Sequence, residues 1–213
     1  MITIPTGDLT GILNDVIPFA FRDDDLPDVN CVRLEWDGDQ LHALATDRYR
    51  IGWSTWDPTD EYEVEHQDDL FTQWGGADEP WAVTISLDDA KDLAAHYKLG
   101  PKERMVPLTI DREPERLKVS RSRDTGYSAI TTIMRDTFVS FPDIRQLLKD
   151  SAQTERVAGL SFNAKYLADF AKVRPRGPLD MQFTGKGKLA HVSIGARFTG
   201  AIMSVADRAS DGS

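Results

Sequence analysis

A chain of 213 residues with 40% hydrophobic and 28% charged side chains is long enough to bury one large core or two small ones, and too apolar to be a disordered tail. Its formal net charge of -10 argues against a surface that is basic all over, yet leaves room for cations gathered on one face. No apolar run approaches the roughly 18 residues of a membrane span, and the opening MITIPTGDLTGIL lacks the basic start and cleavage site of a secretory signal. Cys31, the single cysteine, is expected as a reduced, buried thiol, so the expected setting is the cytoplasm with no membrane partner.

Hydrophobic periodicity divides the chain into three similar stretches, each a short alternating run, an amphipathic helix and three strands. In the first, residues 1–5 read as a strand, and Asp8 or Thr10 is the expected cap of a helix carrying Leu9, Leu13, Val16 and Ile17 on one face. Strands follow at 31–36, 40–45 and 49–56, the first two joined by an Asp37-Gly38 hairpin signal. Residues 57–80 are acidic and rich in turn formers, which reads as a linker or long loop. The second stretch has a strand at 81–86, a helix capped by Ser86 with Ala90, Leu93, Ala94 and Tyr97 on one face, and strands at 106–111, 117–121 and 127–135. The third has a strand at 157–162, a helix capped by Asn163 with Tyr166, Leu167 and Phe170, and strands at 179–184, 189–194 and 198–205, before a tail at 206–213 expected to be disordered.

The repeat length, about 70 to 80 residues, exceeds the roughly 20–50 of solenoid repeats. A strand, a helix and three more strands cannot cover both faces of their own sheet, so each βαβββ unit needs a second unit to close a core. The expected class is α+β, with antiparallel sheets outside and helices inside. The expected division is a complete domain over 1–148 (units 1–56 and 81–136, linker 57–80, connector 137–156) and a half domain over 157–205.

Three short stretches carry a specific resemblance. Leu44-Ala45-Thr46-Asp47-Arg48-Tyr49-Arg50-Ile51 resembles the "ATDGHRLA" strand–turn–strand of the bacterial DNA polymerase III beta subunit, the DNA sliding clamp. Phe141-Pro142-Asp143-Ile144-Arg145-Gln146-Leu147-Leu148 is similar to the "FPDYRRVLP" connector between that family's middle and last domains. Phe162-Asn163-Ala164-Lys165-Tyr166-Leu167-Ala168-Asp169 resembles a helix late in its final domain, and 201–205 falls where the family ends in a "VMPMR"-type strand. The order and spacing match over nearly the whole chain. The family has six units in three domains, whereas three are counted here, corresponding to the middle domain and the second half of the last. The leftover unit is expected to cover its open edge with another chain, giving a homo-oligomer, dimer or tetramer.

The resemblance implies a processivity factor that tethers a polymerase or another replication protein to duplex DNA by a peptide groove. The alternative is a clamp-fold regulatory protein that does not encircle DNA and instead mimics or modulates the replication clamp. The positions that match the groove are Val29, Thr46, Arg48, Tyr49, Arg50, Ile51, Pro142, Gln146, Leu147, Met203, Ser204 and Val205. Ile51, Leu147, Met203 and Val205 are expected to wall an apolar cleft, with Arg50 holding a peptide carbonyl or carboxylate. The same side chains also suit simple packing of one unit on another. Arg48 stands where the family has glycine, and Ser204 and Ala206 where it has proline and arginine, so the groove is either altered in preference or closed.

Clamp helices face DNA phosphates with basic side chains and read no bases. The candidates here are Lys91, Lys98, Lys102 and Arg104 in and after the second helix, and Lys165, Lys172, Arg174 and Arg176 in and after the third. Carboxylates concentrate elsewhere, at 23–25 and 57–79. Nothing points to an enzyme or a cofactor: His42, His66, His96 and His191 lie far apart with no cysteine or carboxylate pair at ligand spacing, and Gly185-Lys186-Gly187-Lys188 reads as a hairpin turn rather than a phosphate loop.

Overall fold

The structure is a computed structural model that describes residues 1–59, 74–76, 79–98, 100, 103–121, 130–151, 160–174, 178–183, 185 and 187–205. Most of the acidic stretch 57–80, the start of the expected strand 157–162 and the tail 206–213 lie outside the described residues. Strand β1 (Ile2–Pro5), helix α1 (Thr6–Val16), β2 (Cys31–Trp36), β3 (Leu41–Thr46) and β4 (Arg50–Trp56) form the first unit. Strand β5 (Trp81–Ser86), α2 (Leu87–His96), β6 (Pro107–Glu113), β7 (Arg116–Arg121) and β8 (Ile130–Arg135) form the second. The connector carries a helix the sequence pattern did not announce, α3 (Ile144–Asp150), and α4 (Ala164–Asp169), β9 (Leu179–Gln182), β10 (Leu189–Ile194) and β11 (Phe198–Met203) complete the order.

The strands make two antiparallel sheets, β1-β6-β7-β8 and β5-β2-β3-β4-β11-β10-β9. Units one and two exchange their first strands: β1 pairs with β6, and β5 pairs with β2. This exchange is how two units that are each incomplete close one core. Unit three does not form a sheet of its own; β11 pairs with β4 and prolongs the sheet of unit one.

Helix α1 begins two residues before the expected cap at Asp8 and has no side-chain cap at all. Its first amides donate instead to carbonyls of unit two, Thr6 to Val106 at 2.9 Å and Gly7 to Arg104 at 2.8 Å. These bonds satisfy donors that a capping side chain would otherwise take. A Cβ on Gly7 would sit 2.9 Å from the Arg104 Cβ, so only glycine permits this approach. Helix α2 follows its expected pattern: Ser86 Oγ accepts from the Asp89 amide at 3.0 Å, and Leu87, Ala90, Leu93 and Ala94 are buried. Tyr97 is fully buried, and its hydroxyl donates to the Val119 carbonyl at 2.9 Å. Asn163 caps α4 as expected, its side chain accepting from the Lys165 amide at 3.0 Å.

One buried cluster runs through all three units, from Ile2 and Leu13 through Leu93 and Val119 to Phe170, Val192 and Ile202. Every residue of β3 is buried, because α1 covers one face and α3 the other. On that second face Leu44, Ile51, Ile144, Leu148 and Ala201 form a separate apolar cluster. Cys31 is 1% exposed, and burial pushes its thiol up to about 12, as a reduced structural cysteine requires.

The seam between units one and three is built around two glycines. Gly52 of β4 lies directly opposite Gly200 of β11. Three phenylalanines pack over the pair: Phe19 and Phe170 with centroids 4.8 Å apart, Phe19 and Phe198 at 5.6 Å, and Phe170 and Phe198 at 6.2 Å. A Cβ on Gly52 would lie 2.6 Å from the Phe19 ring, and one on Gly200 would lie 2.7 Å from the Ile51 carbonyl oxygen. Gly52→Ala is therefore expected to destabilise the protein by about 1–3 kcal/mol through overpacking, measured by urea unfolding. An unchanged midpoint would mean that the rings are not seated against the seam.

Candidate functional site

The turn between β3 and β4 is held by its own side chains. Asp47 Oδ1 accepts from the Tyr49 amide at 3.0 Å and the Arg50 amide at 2.7 Å. Thr46 Oγ1 accepts from the Arg48 amide at 3.1 Å and donates to the Arg50 carbonyl at 2.7 Å. These bonds hold Arg48 at φ +75, a left-handed conformation that costs a side-chain-bearing residue some strain. Arg48 thus takes a backbone conformation suited to glycine and points an exposed side chain outward.

Arg50 does not reach outward. It is 5% exposed, and its guanidinium bonds Asp47 Oδ2 through Nε at 3.0 Å and Nη2 at 2.7 Å, and Asp169 through Nη1. It also lies 4.3 Å from the Tyr166 ring centroid and 5.6 Å from that of Phe19. The expected role of Arg50 as a peptide anchor is thus replaced by an internal one: its charge is spent on joining unit one to unit three. Burial opposes the Arg50 charge, but pairing with Asp47 and then Asp169 outweighs it and raises the pKa above its ordinary value. Burial likewise works against the Asp169 carboxylate, but its bonds to Lys172 and Arg50 outweigh this and hold it below its usual pKa.

On the outer face, the sequence-matched groove residues separate into buried, rim and internal sets. Ile51 lies in the apolar cluster with Leu44, Ile144, Leu148 and Ala201, flanked by half-buried Trp53, Phe141 and Leu189. Helix α3, capped by Asp143 accepting from the Gln146 amide at 2.9 Å, turns Ile144 and Leu148 to the sheet. Leu147 therefore sits on the flank of that helix, 44% exposed. Met203 stands opposite Leu189 in the β10–β11 register, and its amide donates to the Tyr49 carbonyl at 2.7 Å. Tyr49 and Val205 are each 52% exposed, Pro142 is half-buried and Gln146 is exposed with its amide on Asp150 at 2.6 Å. Thr46 and Ser204 are buried, at 3% and 4%, and their hydroxyls are engaged with backbone. Val29 is 1% exposed and lines no open surface, a correction to its place among the groove residues; it lies in the loop before β2, which packs inward.

Arg145 and Trp53 belong to this face and were not among the sequence candidates. The Arg145 guanidinium lies 4.6 Å over the Trp53 ring and bonds Glu35 at 3.1 Å. Beside them Arg33, Leu44, Phe141, Pro142 and Ile144 line a recess of about 300 Å³.

A second group of cations gathers where α4 meets the end of α1. A cleft of about 540 Å³ opens between the end of α1 and α4, lined by Phe21, Arg22, Lys165, Tyr166, Asp169 and Lys172. The structure thus brings Lys165 and Lys172 together and adds Arg22, which follows the helix rather than lying on it and so has no place on a helical face. Lys172 is paired with Asp169, and Lys91 with Asp88 at 2.9 Å. Lys98 and Arg104 are exposed near the end of α2, while the Arg174 amide is fixed to Asp15 Oδ1 at 3.1 Å. Lys102, Arg176 and Lys186 lie outside the described residues.

Two sheets with exchanged first strands, helices packed inside and a third unit continuing the first sheet are matched along almost the whole chain by solved structures. The beta subunit of DNA polymerase III from Thermotoga maritima superposes with a TM-score of 0.69 at 15% identity, over 96% of this chain. This chain has the sliding-clamp fold. A DNA polymerase sliding clamp from Pseudomonas aeruginosa gives 0.69 at 14% identity over 95% of the chain, and one from Bacillus subtilis 0.68 at 13% over 96%. The matched region spans 65% of the Thermotoga chain, 66% of the Pseudomonas chain and 63% of the Bacillus chain. No protein-family model matches the sequence, and no curated protein matches it. No helix among the described residues is long and apolar enough to cross a membrane.

Within this clamp fold, Arg50 is the residue whose loss should be felt most. Arg50→Ala leaves Asp47 without its buried cation and Asp169 with Lys172 alone, and is expected to cost about 3–5 kcal/mol. Asp169 titrates lower folded than unfolded, so it stabilises the fold above the ordinary carboxylate pKa and loses that contribution as pH falls through its lowered value. Unfolding midpoints measured from neutral pH down through the carboxylate range should therefore fall less steeply for Arg50→Ala than for wild type. Parallel profiles would show that the guanidinium does not hold Asp169.

Proposed function

We propose that this protein works as a sliding-clamp-like tether without catalytic activity, holding a replication protein such as a polymerase on duplex DNA. The observation that carries the reading is the pairing of two faces on one clamp fold. An apolar strip lies where α3 crosses the β4–β11 seam, and a cation-lined cleft lies on the other side of the same seam. The strip has a buried floor at Ile51, Ile144 and Ala201, with Leu147 exposed on its flank and Met203 opposite Leu189 at its edge, a pattern suited to a short apolar peptide with an adaptable methionine beside it. The cleft cations Arg22, Lys165 and Lys172, together with Lys98 exposed near the end of α2, suit phosphate contacts without base readout.

The chain spans 65% of the Thermotoga subunit. Strand β9 ends the seven-stranded sheet with Leu179 45% exposed, and Phe183 just past it is 40% exposed. In our reading a second copy covers that flank, as units one and two cover each other, and the assembly is a homo-oligomer. A clamp-fold regulator that stays open would leave the flank uncovered.

Two measurements test the tether. Titrating an apolar clamp-binding peptide against wild type and Met203→Asp should give saturable binding that the variant loses by about tenfold or more. Absence of binding to wild type refutes the peptide strip. Replacing Arg22, Lys98 and Lys165 together with glutamine should reduce retention on closed circular DNA and lower the slope of log affinity against log salt by about one for each phosphate left without its cation. Unchanged retention and slope place the duplex elsewhere.

A further inference from the structure

On the outer face, α3 divides the sheet into two sides. Successive helix residues are about 100° apart, so with Ile144 and Leu148 turned inward, Leu147 and Arg145 fall on opposite flanks. Leu147 flanks the apolar strip. Arg145 faces the other way, over the recess of about 300 Å³ that it shares with Arg33 and Glu35 of β2. The two sides meet at the start of α3, where Leu44, Phe141 and Ile144 line the recess and also belong to the apolar cluster under the strip.

Two guanidiniums converge on this recess and share a single carboxylate. Arg33 Nε donates to Glu35 Oε1 at 2.6 Å, and Arg145 Nη2 donates to Glu35 Oε2 at 3.1 Å. Each guanidinium has five N–H donors, and Glu35 takes one from each. Glu35 therefore balances only one of the two charges. Asp143, the other acid at the recess, turns Oδ1 onto the Gln146 amide at 2.9 Å and caps α3. Both cations are within reach of a partner, the Arg33 and Arg145 side chains being 31% and 41% exposed. Both also rest on rings, Arg33 5.9 Å from the Phe141 centroid and Arg145 4.6 Å from that of Trp53. Two planar forks set on aromatic rings beside an apolar floor suit a carboxylate whose neighbours in the chain are apolar.

We infer that this recess takes an acidic side chain of the same partner whose apolar segment lies on the strip, the partner passing round the Phe141–Pro142 end of α3. The inference rests on the peptide-strip reading and adds a charge requirement to it. A helix with its side chains is about 10 Å across, and an extended segment advances about 3.3 Å per residue. The acid therefore stands about three residues from the apolar residue seated by Leu147. Glu35 is a built-in counter-ion: it gathers the two forks before the partner arrives, and its own charge opposes the incoming acid. The strip alone selects for apolar shape; the recess selects for one carboxylate at a fixed spacing from it.

Fluorescent peptides with identical apolar residues test it, carrying either glutamate or glutamine about three residues from the apolar anchor, on one side of it or the other. On the wild type, the glutamate peptide of one direction should bind about fivefold tighter than its glutamine twin, with the gap closing as salt is raised. Arg33→Gln combined with Arg145→Gln should erase the gap by weakening the glutamate peptide to the affinity of the glutamine one. Glu35→Gln should widen it. Equal binding of glutamate and glutamine peptides in both directions overturns the inference and leaves the strip standing. A gap that survives in the folded double variant, or one that fails to widen in Glu35→Gln, overturns it too. Binding of no peptide at all removes the strip, and this inference with it.

Discussion

Everything in this molecule hangs on the seam where β4 meets β11. The two strands meet at a pair of glycines, and the absence of side chains there lets Phe19 drop from unit one and Phe170 and Phe198 from unit three onto the same spot. The buried Arg50 guanidinium sits at one end of this cluster, bonded to Asp47 of its own turn and to Asp169 of α4, with Tyr166 stacked on it. Apolar packing alone would tolerate sliding between the units. A charge with bonds to both sides fixes one register, because any shift leaves an ion buried without its partner.

The seam also explains why the two candidate faces occur together. Unit three joins the sheet of unit one through the pairing of β11 with β4. The joined sheet needs cover on its outer side, which α3 supplies through Ile144 and Leu148. The apolar strip lies along that cover, and the cleft with Arg22, Lys165 and Lys172 lies where α4 meets the end of α1 on the inner side. Gathering Arg22, Lys165 and Lys172 at one cleft gives a chain of net charge -10 a local concentration of cations.

Much of this was legible in the sequence because it is local. The strand–helix–three-strand rhythm, the caps Ser86 and Asn163 and the inward face of α2 follow from spacing and side-chain chemistry within a few residues. The short motifs around Asp47, Pro142 and Asn163 pointed to the clamp fold although identity to the Thermotoga, Pseudomonas and Bacillus clamps is only 13–15%. What stayed hidden depends on distant partners. The start of α1 is set by carbonyls at Val106 and Arg104, about a hundred residues away, which no capping rule near Asp8 reveals. Arg50 looked like a ligand for a peptide because Asp169 lies 119 residues downstream. Leu147 looked like a wall because its match to the family's connector carried no helical phase; once the segment is a helix, Ile144 and Leu148 share the inward face and Leu147 lies on the flank. Val29 looked like a groove residue, but it lies in the loop before β2, where its amide donates to the Leu26 carbonyl at 3.1 Å and its carbonyl accepts from the Phe21 amide at 3.0 Å.

The two sheets end on β1 and β8 and on β5 and β9, and at β9 Leu179 is 45% exposed. The account holds that the β9 flank is covered by a further copy, so that the working particle is larger than a single chain. Absolute molar mass in solution, from light scattering across a dilution series, asks this most directly. The account predicts a particle of two or four chains of 23.8 kDa that dissociates only on dilution. A mass of one chain at every concentration would contradict it.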